Sequence, residues 1–455
     1  MAATPVIAIA DVGKTNRKFL LFDESYTLRY EAATGNAEIK DEDGFPCEDI
    51  GAITGWIKRS LGEFLENKEF NVKAINFSAH GAGFVHQDEK GAVIAPLYNY
   101  LKPYPEKLRK RFYDAYGGEA PFSKATASPV LGSLNSGLQL FRIKHERPEL
   151  FQNIKYSLHL PQFLSMLFTQ KAFSDITSIG CHTGMWDFEK QDYHAWVHKE
   201  EIYPKLAPIT STDTVTHVDM HGHSIAVGIG LHDSSAALIP YLKQFEKSFA
   251  LISTGTWNIT LNPFNSTALT DEELLKDCLC YMSYGGRPVK AARLFAGHAH
   301  DEQLMRLADH FHQRPGYQES FPFDKDYTMR LKSERSALPH KEFDPKNLLL
   351  DDFFNTSFAA SDSFEHAYHQ LILDLVTLQF ESTSLVLRSD TKKLFVDGGF
   401  CKNMIFMNML KEFFPSLDVY AATAPHASSL GAAMAIHSHW NSKEFPKDRI
   451  GLTRI

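Results

Sequence analysis

Asp11, Gly13, Lys14, Thr15 and Asn16 stand together in a short polar stretch between two apolar runs, residues 6–10 and 18–23. A carboxylate in such a turn can hold Mg2+ directly or through water. A glycine lets a ligand reach the main chain, and a lysine adds a point charge. The set suits a phosphate bound with a divalent cation. An ordinary hairpin turn favours the same Asp, Gly and Asn, so the stretch does not choose by itself. Three other places carry similar double meanings. His80-Gly81 follows the apolar run 72–78, where a strand-end histidine can bond a sugar hydroxyl or simply satisfy a turn. Asp233-Ser234 opens a small-residue helix; Asp233 can accept a proton or cap the helix. Gly398-Gly399 joins the apolar run 394–396 to a helical segment. Backbone N–H groups can meet phosphate at such a turn, or the glycines can serve tight packing alone.

The elements that must position these residues come in two sets. Residues 6–10, 18–23 and 28–33 read as strands, 49–65 as an amphipathic helix and 72–78 as a strand. Residues 84–87 and 92–100 read as a hairpin. Helices are expected near 103–117, 134–145, 148–155 and 161–167. After residue 248 the plan starts again. Strand 249–253, the turn Thr254-Gly255-Thr256-Trp257 and strand 258–261 repeat the opening hairpin, with Ser253 matching Asp11, Gly255 matching Gly13 and Asn258 matching Asn16. Two such units, each opening about half the chain, point to duplicated domains, divided as 1–243 and 244–455. Further helices are expected at 271–276, 300–311 and 363–388, with a charged surface insertion at 313–352. Met404, Met407 and Leu410 form a core-facing stripe after the Gly398-Gly399 turn.

Composition narrows the class. At 455 residues the chain exceeds one ordinary core. The formal charge of −8 argues against a nucleic-acid binder. Five scattered cysteines form no disulfide framework and suit a reducing compartment. No run is long enough to span a membrane, and no signal segment opens the chain, so a soluble cytoplasmic protein is expected. His217, His221 and His223 read as loop residues, since no carboxylate or cysteine set completes a metal site around them; His298 and His300, near Asp301, read as a helix start and not as metal ligands, since such pairs are common by chance.

In order, the Asp-Gly-Lys-Thr-Asn turn, the strand-end histidine, the mid-chain aspartate, the Ser253–Trp257 turn and Val396-Asp397-Gly398-Gly399 resemble the FGGY carbohydrate kinases over nearly the whole chain. The Ser-Thr-Gly-Thr-Trp turn and Leu231-His232-Asp233-Ser234 look most like the rhamnulokinase and fuculokinase branch. The resemblance implies an α/β chain with two ribonuclease-H-like domains of the actin and hexokinase type around a cleft, sugar bound by the first and nucleotide by the second. It implies ATP and Mg2+, with Asp11 near the metal and Gly13, Lys14, Thr15 and Asn16 near the transferred phosphoryl group. Thr254, Gly255 and Thr256 would form a second phosphate loop, and Gly398, Gly399 and Asn403 would line the nucleotide pocket. His80, Gly81 and Ser234 would meet the sugar, and Asp233 would be the general base. The acceptor it implies is a ketose such as L-rhamnulose or L-fuculose. A ketopentose or polyol is the alternative, then an ATPase or sugar-binding regulator of the same fold. A homodimer is left open. The chain departs from the family pattern at Lys14, Tyr100, His426 and Leu138-Gln139-Leu140-Phe141.

Overall fold

The computed structural model describes residues 3–14, 16–314, 316–336, 361–422, 426–446 and 450–455. The chain divides into two units. The first comprises Met1–Gln244, Cys280–Pro288 and His426–Arg449; the second comprises Phe245–Leu279, Val289–Pro425 and Ile450–Ile455. The expected division into 1–243 and 244–455 is therefore too simple, because two later segments return to the first unit. Their packing explains the return. A side chain at Gly180 would lie 2.3 Å from Met282 Cγ. One at Gly431, in the helix Ala427–Ala435, would lie 1.8 Å from the Ala236 carbonyl oxygen.

In the first unit, strands β1 (Thr4–Val12), β2 (Asn16–Asp23), β3 (Leu28–Gly35), β4 (Phe70–Ala79), β5 (Val215–Met220), β6 (His223–Gly228) and β7 (Leu231–His232) build one sheet in the order β5-β6-β4-β1-β2-β3. β7 pairs with the end of β4. β1 runs antiparallel to β2 and parallel to β4. Both faces of β1 are covered, so it reads as a nearly continuous apolar run. Val6, Ala8 and Ala10 share a cluster with Ile53, Ile57 and Leu61. Ile7 and Ile9 share the opposite one with Ile239 and Ala433. Ile53, Ile57, Leu61 and Phe64 lie on one face of the helix Ile50–Glu66, which Asp49 caps by accepting from the Ala52 N–H at 3.0 Å.

The second unit repeats the plan. Strands β8 (Phe249–Thr254), β9 (Asn258–Asn262), β10 (Pro288–Leu294), β11 (Lys393–Gly398), β12 (Asp418–Ala422) and β13 (Leu452–Arg454) follow the order β10-β9-β8-β11-β12-β13. Again the first strand is antiparallel to the second and parallel to the fourth. Register makes the duplication specific. Asp11 pairs with Ser78 and Val12 with Ala79; Ser253 pairs with Asp397 and Thr254 with Gly398. One expected match changes. Val12 pairs with Arg17, whereas Thr254 pairs with Asn258. The second turn is one residue shorter, so Asn258 corresponds to Arg17 and not to Asn16.

Two other expectations differ. Residues 92–100 form no strand. Phe84–Gln87 pairs instead with Tyr156–His159, and Val93 makes only an isolated bridge to Gln87. The supposed insertion 313–352 is partly structural. Its helix Lys325–Ser336 buries Thr328 and Leu331, and the rings of Tyr317 and Phe321 lie 5.2 and 6.0 Å from Phe364. Aromatic contacts hold a charged segment that composition alone reads as surface. Residues 337–352 of it lie outside the described residues. Among the described residues no helix is long and apolar enough to cross a membrane.

Candidate functional site

The ladder between β1 and β4 brings the first unit's polar residues together. It ends with the His80 N–H donating to the Val12 carbonyl at 3.2 Å, so the histidine leaves the sheet beside the turn that follows Asp11. β7 lies on the other side of β4, with Leu231 opposite Ser78 and His232 opposite Ala79. The helix Asp233–Gln244 starts at that point. Its backbone meets the helix Ala427–Ala435 at Gly431. Buried Asn76 locks the arrangement by donating to the Ala432 carbonyl at 2.8 Å and accepting from the Gly230 N–H at 3.1 Å.

Asp11 is held from the second helix. Ser428 and Ser429 both donate to its Oδ2, at 2.6 and 2.7 Å. Burial pushes its pKa up, and the charge of Asp233 adds to this, against the serine hydrogen bonds. Asp233 goes the other way. Burial would raise it, but the charge and hydrogen bond of His232, the charge of His80 and the Ser234 N–H prevail and hold it below the usual aspartate value. His232 Nε2 lies 3.1 Å from Asp233 Oδ1, and the Ser234 N–H donates to the same oxygen at 2.6 Å. The Asp233 side chain remains 32% exposed. Asp233 is thus the first residue of its helix and a partly exposed carboxylate at once.

His232 is the organiser here, a role the sequence motif around it did not reveal. Its ring stacks on Tyr281 at 5.5 Å and 10°, and Cys181 Sγ lies 3.5 Å from Nε2. Gly81 makes room for it, since a side chain there would lie 2.7 Å from His232 Cδ2. Glu48 was also missed. It is 1% exposed, with Oε1 3.0 Å from His80 Nε2 and Oε2 accepting from Lys14 Nζ at 2.9 Å. Burial raises its pKa, but His80 and Lys14 win and keep it depressed. Lys14 therefore faces Glu48 and lies 5.2 Å from the centre of the Tyr100 ring, instead of standing free in the turn. The turn itself is tied down by Asn36, which donates to the Gly13 and Lys14 carbonyls at 2.8 and 3.1 Å. Asn16 is exposed at the start of β2. Thr15 lies outside the described residues. His426 precedes the second helix, with Nε2 3.1 Å from Glu31 and Nδ1 3.3 Å from Lys18 Nζ.

In the second unit, Gly255, Thr256, Gly398 and Gly399 are exposed. Thr254 is not. Its carbonyl accepts from the Gly399 N–H at 3.1 Å. Its hydroxyl accepts from the Phe400 N–H at 3.0 Å and donates to the Asp397 carbonyl. Thr254 thus joins β8 to the Gly-Gly turn. Gly398 has φ +84°, and a side chain there would lie 1.8 Å from the Thr254 carbonyl oxygen. Asn403 caps the helix Met404–Phe413, accepting from the Phe406 N–H at 3.1 Å, and donates to Tyr368 at 2.8 Å. Beside it opens a cavity of about 980 Å3 lined by His300, Phe321, Tyr368, Gly399, Asn403 and Met404, among others. His300 read in the sequence only as part of a helix start and Tyr368 carried no signal, because the two come from separate helices. Met407 and Leu410 are buried as expected, whereas Met404 is 50% exposed.

Residues 6–239 match the N-terminal domain of the FGGY family of carbohydrate kinases, and residues 246–444 match the C-terminal domain of carbohydrate kinase FGGY. A rhamnulokinase of Klebsiella pneumoniae subsp. pneumoniae is 23% identical over 242 residues, 50% of this chain and 47% of the relative. The chain spans about half the length of the curated relatives it matches. A carbohydrate kinase from Novosphingobium aromaticivorans has a similar fold, with a TM-score of 0.79 and 23% identity over 100% of this chain and 94% of that one. So does a xylulose kinase from Lactobacillus acidophilus, with a TM-score of 0.78 and 14% identity over 97% of this chain and 90% of that one. With both domain models matched across nearly its full length, the chain belongs to the FGGY family of carbohydrate kinases.

Proposed function

We propose that the chain transfers the γ-phosphoryl group of ATP to a hydroxyl of a ketose, with Asp233 as general base. The observation that carries this reading is the state of Asp233. It is held ionised by His232 and the Ser234 N–H, yet remains a third exposed. Both contacts fall on Oδ1, so Oδ2 is the oxygen for an incoming sugar hydroxyl. As that hydroxyl attacks phosphorus, its proton passes to Asp233, a contribution of about 10²–10⁴-fold. His232 keeps the carboxylate oriented, and His80 and Ser234 contact the sugar. In the second unit the exposed backbone of Gly255, Thr256, Gly398 and Gly399 would hold phosphate, and the cavity beside Asn403 and Tyr368 would take the base and ribose of the nucleotide. Phosphoryl transfer asks for alignment and charge stabilisation of this kind.

The residues fit a magnesium ion. Asp11 is a carboxylate kept above its ordinary pKa by burial and by a neighbouring negative charge. Its Oδ2 is engaged by two serines. Mg2+ is commonly held by one or two carboxylates together with water and substrate phosphate. Bound at Asp11, it would neutralise charge on the phosphate oxygens.

The rhamnulokinase relatives favour a deoxyketohexose as acceptor. A screen of ADP release from Mg-ATP against ketoses and polyols, with NMR of the product to locate the phosphate, tests the reading. ATP turnover that no sugar raises would overturn it. Asp233→Asn is expected to bind ATP and sugar but to lose about 10²–10⁴ in kcat. Near-normal kcat in that variant would remove Asp233 from its role.

A further inference from the structure

We propose that Glu48 is a positioning residue that couples sugar binding to the phosphate turn, by holding His80 with one carboxylate oxygen and Lys14 with the other. This rests on the kinase reading above. Glu48 lies outside every motif that drew attention in the sequence, at the end of the short strand Pro46–Glu48. It is a buried carboxylate whose two oxygens take one group each, His80 Nε2 at 3.0 Å and Lys14 Nζ at 2.9 Å. The two groups come from different places. Lys14 belongs to the turn after β1, and His80 follows the end of β4. Tyr100 closes the group, its ring 5.2 Å from Lys14 Nζ and 5.8 Å from the His80 ring.

Such a carboxylate is rigid and cannot satisfy one partner independently of the other. Pairing keeps the buried charge tolerable, and loss of either partner leaves an uncompensated group. The hydrogen bond to Nε2 also orients the imidazole and leaves Nδ1 as the variable nitrogen. His80 Nδ1 has no hydrogen-bond partner among the described residues. A sugar that turns the His80 ring therefore disturbs the carboxylate whose other oxygen holds Lys14. A phosphate that draws Lys14 away disturbs the histidine in the same manner. Such coupling must be reciprocal between the two ligands.

The test uses the full chain in four forms: wild type, Glu48→Gln, Lys14→Met and the double variant. Sugar affinity is measured by calorimetry with and without ADP and Mg2+, and kcat and KM by ADP release. Charge-assisted hydrogen bonds of this kind correspond to about a ten- to hundredfold change in affinity. Glu48→Gln is expected to weaken sugar binding by that much and to abolish the effect of nucleotide on sugar affinity. Lys14→Met added to Glu48→Gln should change sugar affinity little further, and Lys14→Arg should keep the coupling. Thermal unfolding of each form identifies any variant that fails to fold; Lys14→Met, which removes only a partly exposed partner, then carries the test. Losses that multiply in the double variant, or an unchanged nucleotide effect in Glu48→Gln or Lys14→Met, would overturn the proposal while leaving the kinase reading intact. A wild-type chain that binds no ketose or polyol would overturn both.

Discussion

A single methyl group at Gly81 probes the organisation of the base. In Gly81→Ala the new Cβ would lie 2.7 Å from His232 Cδ2 and 3.3 Å from both Cγ and Nε2. Carbon atoms in contact prefer about 3.5–4.0 Å, so ring or backbone must give by about 1 Å. The ring has little room, being 3% exposed and stacked on Tyr281. Its Nε2 starts 3.1 Å from Asp233 Oδ1, and a retreat of about 1 Å takes it past hydrogen-bonding range. Overpacking of this size costs about 1–3 kcal/mol of stability. Misplacement by about 1 Å costs on the order of 10² in rate. Asp233 would also lose the neighbour that does most to depress its pKa. The acid limb of its activity should therefore move to higher pH, since the carboxylate would protonate earlier as the pH falls. ADP release at saturating ketose, a pH–rate profile and thermal unfolding measure the three effects. Wild-type kcat, acid limb and Tm in Gly81→Ala would show that His232 does not hold the base.

Other perturbations test the neighbouring groups. Burial holds Asp11 above its ordinary value of 3.8, so the folded chain binds this proton more tightly than the unfolded one. That costs stability above the folded pKa, and the cost disappears as the pH falls through it. Asp11→Asn should therefore raise Tm at neutral pH without Mg2+, with the gain vanishing in acid, and should abolish any rise in Tm on adding Mg2+; an unchanged Mg2+ response would exclude Asp11 from the metal site. Gly398→Ala sets a side chain 1.8 Å from the Thr254 carbonyl at a left-handed φ, and should cost about 3 kcal/mol in urea unfolding. A loss of about 0.5 kcal/mol or less in that measurement, the size of an ordinary surface change, would contradict the joint between β8 and β11.

The sequence by itself determined the elements and their repetition. Apolar runs with polar turns placed β1, β2 and β8, because a strand covered on both faces reads as a nearly continuous apolar run. The amphipathic run 49–65 placed the helix Ile50–Glu66, since its apolar period is local. Asp11 and Asp233 also stood out by residue type and setting. Tertiary structure decided what those residues touch. Glu48 meets Lys14 and His80 across sequence gaps of 34 and 32 residues. Ser428 and Ser429 reach Asp11 from more than 400 residues away. Gly81 yields space to an imidazole and Thr254 joins two strands, neither of which their residue types reveal. A glycine or threonine reads the same in sequence whether its neighbour is a phosphate or another part of the chain. Only the fold, by bringing distant backbone and side chains within a few ångströms, distinguishes the two.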